Sequence, residues 1–168
     1  EDADQLWYPA SLTKIMTAYV TFEALKQGTV TLETKLVSTE NAAKEPPSKI
    51  GIPVGGEIGM ELGLRSLIVK SANDVAIMLA EAVAGSEAAF VDRMNETAKR
   101  LGMTRSRFVN PNGLPVPGQV TTARDLGRLA TAVLRDFPQY AHYWAMPQVQ
   151  IGKRRLRSHN SLLRRFEG

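Results

Sequence analysis

Ser11 and Lys14 stand three positions apart in PASLTK, residues 9–14, at the mouth of an apolar, Thr-rich segment, IMTAYVTFEALKQG. On a helix, residues i and i+3 share a face, so the hydroxyl and the amine point the same way, beside Ala18 and Leu25. A serine hydroxyl is a poor nucleophile until something takes its proton. An ammonium cannot do this, but burial among apolar neighbours lowers a lysine pKa by up to ~3–5 units and yields a neutral amine that can. A serine near a helix start also has unpaired backbone N–H groups and the positive dipole end at hand for a developing oxyanion. Lys14 is therefore a candidate base for Ser11. The plain alternative for the tetrapeptide alone is a surface lysine after a helix-starting serine. The segment is apolar nearly all round, which leaves Lys14 little water to lie in.

A second pair follows some 60 residues later, Ser71 and Asn73 in VKSANDVA. Asn supplies a donor and an acceptor, and Ser can pass a proton onward. The competing explanation is a capping box, because Ser71 and Asp74 satisfy S-x-x-D at a helix start. A further S-x-N, Ser158-His159-Asn160, occurs in the same chain, so the tripeptide by itself is weak.

These residues need elements to hold them. Residues 10–27 read as a helix with Leu12, Ile15, Tyr19, Phe22 and Leu25 on one broad apolar face, Pro9 at its entrance and Gly28 at its exit. Residues 29–57, rich in Pro and Gly, read as short extended pieces and a long surface loop. MELGLRSLIVK predicts a helix broken at SAND. Two more helices follow, DVAIMLAEAVAG and SEAAFVDRMNETAKRLG, the second capped by Ser86, with Gly85 and Gly102 closing them. SRFVNPNGLP reads as a short strand and a turn. TTARDLGRLATAVLRDF opens with the capping box Thr122–Asp125, and MPQVQIGKRRLRSHN alternates around Gly152 like a hairpin.

The chain has 168 residues, enough for one domain with a sizeable core, and no window long enough for a transmembrane helix. Its opening, EDADQLWYPA, reads as a mature or trimmed start rather than a signal peptide. With no cysteine there is neither a disulfide framework nor a thiolate metal site. The net charge of +4 is local: residues 151–168 sum to +5 and the other 150 to −1. A basic hairpin of this kind is most simply a solvated face. Only Phe166 offers a stacking ring among the basic residues, which argues against nucleic acid. His142 and His159 lack metal-ligand spacing and read as hydrogen-bonded structural residues. Tyr140, Tyr143 and Trp144 read as core packing.

With S-x-x-K followed by S-x-N in this order, the sequence resembles the penicillin-binding, serine-type D-alanyl-D-alanine carboxypeptidases of the bacterial cell envelope. YPASLTKIMTAYV, the stretch from Ile68 to Met103, FVNPNGLP and TTARDLGRLA are all similar to that family, in its usual order, over nearly the whole chain. The resemblance implies the α/β (α+β) fold shared by β-lactamases and penicillin-binding-protein transpeptidases. It also implies that Ser11 is the acylated nucleophile, Lys14 its proton acceptor, Ser71 a relay toward the leaving D-Ala, and Asn73 the residue that holds Lys14 and the substrate carbonyl. The implied reaction removes the terminal D-Ala of a peptidoglycan stem peptide through an acyl-enzyme, without cofactor or metal, with β-lactams acylating the same serine. Implied too are a periplasmic or other extracytoplasmic location and membrane association outside this segment.

Two departures shape the expectation. The family's Lys-Thr-Gly strand occurs nowhere in these residues, and only ten residues precede Ser11. Residues 1–168 are thus expected to be one truncated catalytic domain, mostly its helical part, inactive alone, without most of the central antiparallel sheet. Ala72 stands where the family often has Gly. Other functions remain open. A class A β-lactamase needs a glutamate that positions the deacylating water, and the stretch 110–126 holds none. A D,D-endopeptidase would use the same residues. A non-catalytic module would grip an anionic polymer through the basic hairpin, with phospholipid or wall polymer as the compatible partner.

Overall fold

A computed structural model describes residues 2–160 and residue 163. Arg164, Arg165, Phe166 and Glu167 of the basic tail lie outside the described residues. Among the described residues seven α-helices carry the structure: α1 (Thr13–Gln27), α2 (Glu40–Ala43), α3 (Met60–Lys70), α4 (Asn73–Ala84), α5 (Glu87–Arg100), α6 (Ala123–Asp136) and α7 (Ala141–Trp144). The strands are short: β1 (Lys35–Val37), β2 (Glu57–Gly59), β3 (Gln148–Ile151) and β4 (Arg154–Arg157).

Helices α1 and α4 form the centre. Ten residues of α1 and nine of α4 are buried, so neither presents a single apolar stripe. A helix buried all round is what a central position in a bundle demands. The expected face of α1 changes accordingly. Leu12 is half exposed, while Met16, Val20 and Ala24 join Tyr19 and Phe22 in the core. Helices α3, α5 and α6 pack around α1, and α2, α3 and α5 around α4.

Helix boundaries follow local chemistry. Gly28 closes α1 and Gly85 closes α4 in the left-handed conformation, where glycine has no Cβ penalty. Ser86 accepts from Ala89 N at 3.1 Å, and Thr122 from Asp125 N at 3.1 Å. The reciprocal half of the Thr122 box is not made. Asp125 instead accepts from Arg105 N, the Ser106 hydroxyl and Arg128, fastening α6 to the loop before it. The expected long loop between Thr29 and Glu57 contains α2, capped by Thr39, and a strand, β1, that pairs antiparallel with β2.

The hairpin β3–β4 is antiparallel, with Gln148 opposite Arg157 and Ile151 opposite Arg154. It lays Val149, Ile151 and Leu156 on the core and turns Lys153, Arg155 and Arg157 outward. The strand expected in SRFVNPNGLP shrinks to one bridge, Arg107 to Val120. Among the described residues the strands form only two two-stranded sheets, with no large central sheet. No helix among them is long and apolar enough to cross a membrane.

Candidate active site

The chain enters α1 through a 3-10 turn, Ala10–Leu12, so Ser11 precedes the α-helix instead of lying in its first turn. Ala10 has φ 47°, a left-handed value that costs an alanine about 1 kcal/mol or more. The strained residue is braced from outside: at Gly113, φ 83°, any Cβ would fall on the Ala10 carbonyl. Only glycine permits that approach. Ser11 is thereby left exposed at the helix entrance while Lys14, one turn on, is buried to 5% exposure.

Lys14 Nζ donates to the Asn112 carbonyl at 2.5 Å, and Thr17 Oγ1 to the Pro111 carbonyl at 2.6 Å. The loop that docks on α1 is itself rigid. Asn110 Oδ1 accepts from Gly113 N at 2.8 Å, and Gln119 Oε1 accepts from Val109 N and Asn110 N. Burial pushes the Lys14 pKa down from 10.5 to about 8, with the nearby Glu45 carboxylate opposing that shift. At pH 7 roughly one Lys14 in ten is then a neutral amine, against about three in ten thousand for an ordinary lysine. That is the population a general base needs.

Ser71 terminates α3 in the left-handed conformation, φ 57°. The capping-box explanation does not hold for it. The N-cap of α4 is Ala72, with no side-chain cap bond. Asp74 turns instead to the preceding loop, accepting from Ile50 N at 3.2 Å and Gly51 N at 2.8 Å. The Ser71 hydroxyl makes no hydrogen bond among the described residues. Ser11, Lys14 and Ser71 line one open cleft of about 650 Å³, walled by Tyr8, Leu67 and Trp144.

Asn73 is placed differently from the expectation. Its Nδ2 donates to the Pro46 carbonyl at 2.9 Å and its backbone N–H to the Ser48 carbonyl at 2.7 Å. Here Asn112, and not Asn73, holds Lys14. Asn73 Oδ1 keeps its acceptor capacity, since it makes no bond among the described residues. Two site residues escaped the sequence reading. Asn112 acts through a backbone carbonyl that any residue type supplies, and Trp144, expected in the core, is half-buried at the cleft wall. The motif FVNPNGLP was the only signal for the first.

The other candidates stay structural. His142 Nδ1 lies 3.0 Å from the Gln139 carbonyl, and its ring meets Tyr143 edge-on at 4.4 Å. His159 Nε2 lies 3.4 Å from Lys70 Nζ, and Asn160 N donates to Ser158 Oγ within a local turn. No cluster of three metal-ligating side chains occurs among the described residues.

A family model described as D-alanyl-D-alanine carboxypeptidase matches residues 1–167. The chain belongs to the D-alanyl-D-alanine carboxypeptidase family. D-alanyl-D-alanine carboxypeptidase DacC of Escherichia coli is 36% identical over 168 residues, covering 96% of this chain and 42% of that protein. A D-alanyl-D-alanine endopeptidase of Pseudomonas aeruginosa is 33% identical over 152 residues, covering 86% of this chain and 45% of the relative. Penicillin binding protein 5 from Haemophilus influenzae superimposes with a TM-score of 0.94 at 32% identity, over 98% of this chain and 49% of that one. The chain thus spans under half the length of these carboxypeptidase-family relatives. Its fold is the helix-rich part of the penicillin-binding-protein fold, as the sequence resemblance implied.

Proposed function

We propose that the protein carrying this chain is a serine D,D-carboxypeptidase that trims the terminal D-Ala from a peptidoglycan stem peptide and is acylated by β-lactams. The observation that carries the reading is Lys14: a buried amine near pKa 8, one turn from an exposed serine, in a cleft shared with the Ser71 hydroxyl. In the proposed sequence neutral Lys14 takes the Ser11 proton as Oγ bonds to the penultimate D-Ala carbonyl carbon. The peptide C–N bond breaks, the departing amine takes the Ser71 hydroxyl proton, and the proton held by Lys14 passes to Ser71, so both side chains return to their starting forms. Water then cleaves the ester and restores the Ser11 hydroxyl. Asn73, with Oδ1 open, is assigned to the substrate's peptide group. A cell-wall substrate puts the site of action in the bacterial envelope, outside the cytoplasm.

A solved relative supports the β-lactam step. Penicillin-binding protein D2 of Listeria monocytogenes, known in an ampicillin-bound form, superimposes with a TM-score of 0.87 at 29% identity, over 100% of this chain and 69% of that one. Endopeptidase activity is the second reading, favoured by the Pseudomonas aeruginosa relative. Residues 1–168 are proposed to be the helical part of one catalytic domain, completed by strands that include Lys-Thr-Gly. In support, Trp7 is 58% exposed, Tyr8 69% and Leu12 50%, and the buried Trp144 Nε1 has no partner among the described residues.

The test is D-Ala release from a stem pentapeptide by the full gene product, beside labelling with a tagged penicillin. The reading expects release, a stable adduct on Ser11, and loss of both in Ser11→Ala. An adduct on another residue, or release that survives Ser11→Ala, contradicts it. Rapid β-lactam turnover would indicate a β-lactamase.

A further inference from the structure

No glutamate lies in residues 110–126, but the fold brings one to the same place from another segment. Glu45, half-buried just beyond α2, accepts from Asn112 Nδ2 through Oε2 at 2.8 Å. Asn112 is itself buried, and its Oδ1 accepts from Leu114 N at 3.0 Å. That bond fixes which way the amide faces: oxygen toward Leu114, nitrogen toward Glu45. The carbonyl of the same residue receives Lys14 Nζ. One asparagine therefore stands between the amine of α1 and a carboxylate from the α2–β2 segment.

That segment is held at several points. Glu45 N donates to the Ala42 carbonyl, Asn73 grips the Pro46 and Ser48 carbonyls, Ser48 Oγ donates to the Lys70 carbonyl, and Asp74 receives Ile50 and Gly51. Glu45 is thus not a free surface acid drifting near the site. Asn73 and Asp74 of the S-A-N-D motif hold the residues that follow it.

We infer that Glu45 is a positioning residue of the acyl-transfer site, its carboxylate acting on Lys14 across Asn112, the residue that supplies the Lys14 acceptor. The inference rests on the acyl-transfer reading above. Among the described residues Glu45 is the charged group that acts appreciably on Lys14. Burial and then Glu87, at the start of α5, raise the Glu45 pKa, and Lys44, the Asn112 hydrogen bond and Lys49 lower it. Lys49 Nζ is engaged with the Ala43 carbonyl at 2.9 Å. Because an anion favours a neighbouring cation, removing the charge makes Lys14 lose its proton at lower pH. Acylation that needs the neutral amine then begins at lower pH as well.

The experiment follows the rate of Ser11 acylation by a tagged penicillin against pH, in the full gene product and two variants. Glu45→Gln keeps an acceptor for Asn112 Nδ2 but removes the charge. Its acid limb is expected to move to lower pH, read as about a threefold faster rate below pH 7, with the alkaline plateau within about twofold of wild type. Glu45→Asp keeps the charge on a shorter stem and is expected to hold the limb near its wild-type position. A Glu45→Gln limb at the wild-type pH, or a rate lowered by one factor at every pH, overturns the inference while leaving the acyl-transfer reading intact. A limb displaced equally in Glu45→Asp also overturns it. Absence of any wild-type adduct on Ser11 overturns the acyl-transfer reading itself and this inference with it.

Discussion

Lys14 carries a cost that can be measured apart from its chemistry. Its folded pKa of about 8 lies below the ordinary 10.5, so between those values the unfolded chain binds more protons than the folded one. Stability therefore rises with pH across that window, and below it the buried ammonium costs about 3 kcal/mol. Lys14→Met should unfold at higher urea concentration than wild type at pH 7, with the gain shrinking toward pH 10.5, while acylation is lost. Ser71 offers a parallel case. Ser71→Gly relieves the left-handed strain and should leave stability equal to wild type or higher by about 0.5–1 kcal/mol, yet lower D-Ala release at least tenfold. A drop in melting temperature with unchanged release would make Ser71 structural. At this scale the motifs pointed to Ser11, Lys14 and Ser71 through the chemistry of their side chains, and the fold brings the three to one cleft. Asn112 was not legible, because it acts on Lys14 through its backbone, from 98 residues away.

Elements were legible where periodicity and caps agreed. The helices α3 to α6 fall where apolar spacing and the residues Ser86, Gly85 and Thr122 put them. The short α2 has no period to read, and the 3-10 entrance to α1 depends on Gly113 pressing on Ala10, a contact between distant segments. Gly113→Ala tests that contact. A Cβ there meets the Ala10 carbonyl and adopts φ 83°, so the loop must retreat and take the Asn112 carbonyl from Lys14. The variant should lose about 2 kcal/mol or more of stability and acylate Ser11 at least tenfold more slowly, checked by thermal melting and adduct kinetics. Asp74→Ala removes the acceptor of Ile50 and Gly51 N–H groups. It should cost about 2–3 kcal/mol and loosen residues 45–51, visible as faster amide hydrogen exchange confined to that segment.

At the scale of the molecule, chemistry and charge separate. The basic residues lie outward on the hairpin, and Arg154 spends one donor on the Ile50 carbonyl at 2.7 Å, while the cleft is walled largely by apolar groups. Neutralising Arg155 and Arg157 should leave Ser11 acylation within about twofold of wild type. Salt-sensitive retention of an anionic polymer that depends on them would instead revive the binding-module reading. The long helices were legible in sequence because each carries its own pattern. The hairpin β3–β4 was legible from its alternation around Gly152, whereas the three-residue strands β1 and β2 depend on partners 22 residues apart at Leu36 and Ile58, which local pattern does not name. Every step nonetheless returns to the protonation of one buried amine. Its most direct test is an NMR titration of the Lys14 side chain in the unliganded full gene product. A midpoint near pH 8 that matches the rise of Ser11 acylation is the predicted result. An amine still fully cationic at pH 9, in a protein that acylates normally at pH 7 and after Lys14→Met, would contradict it.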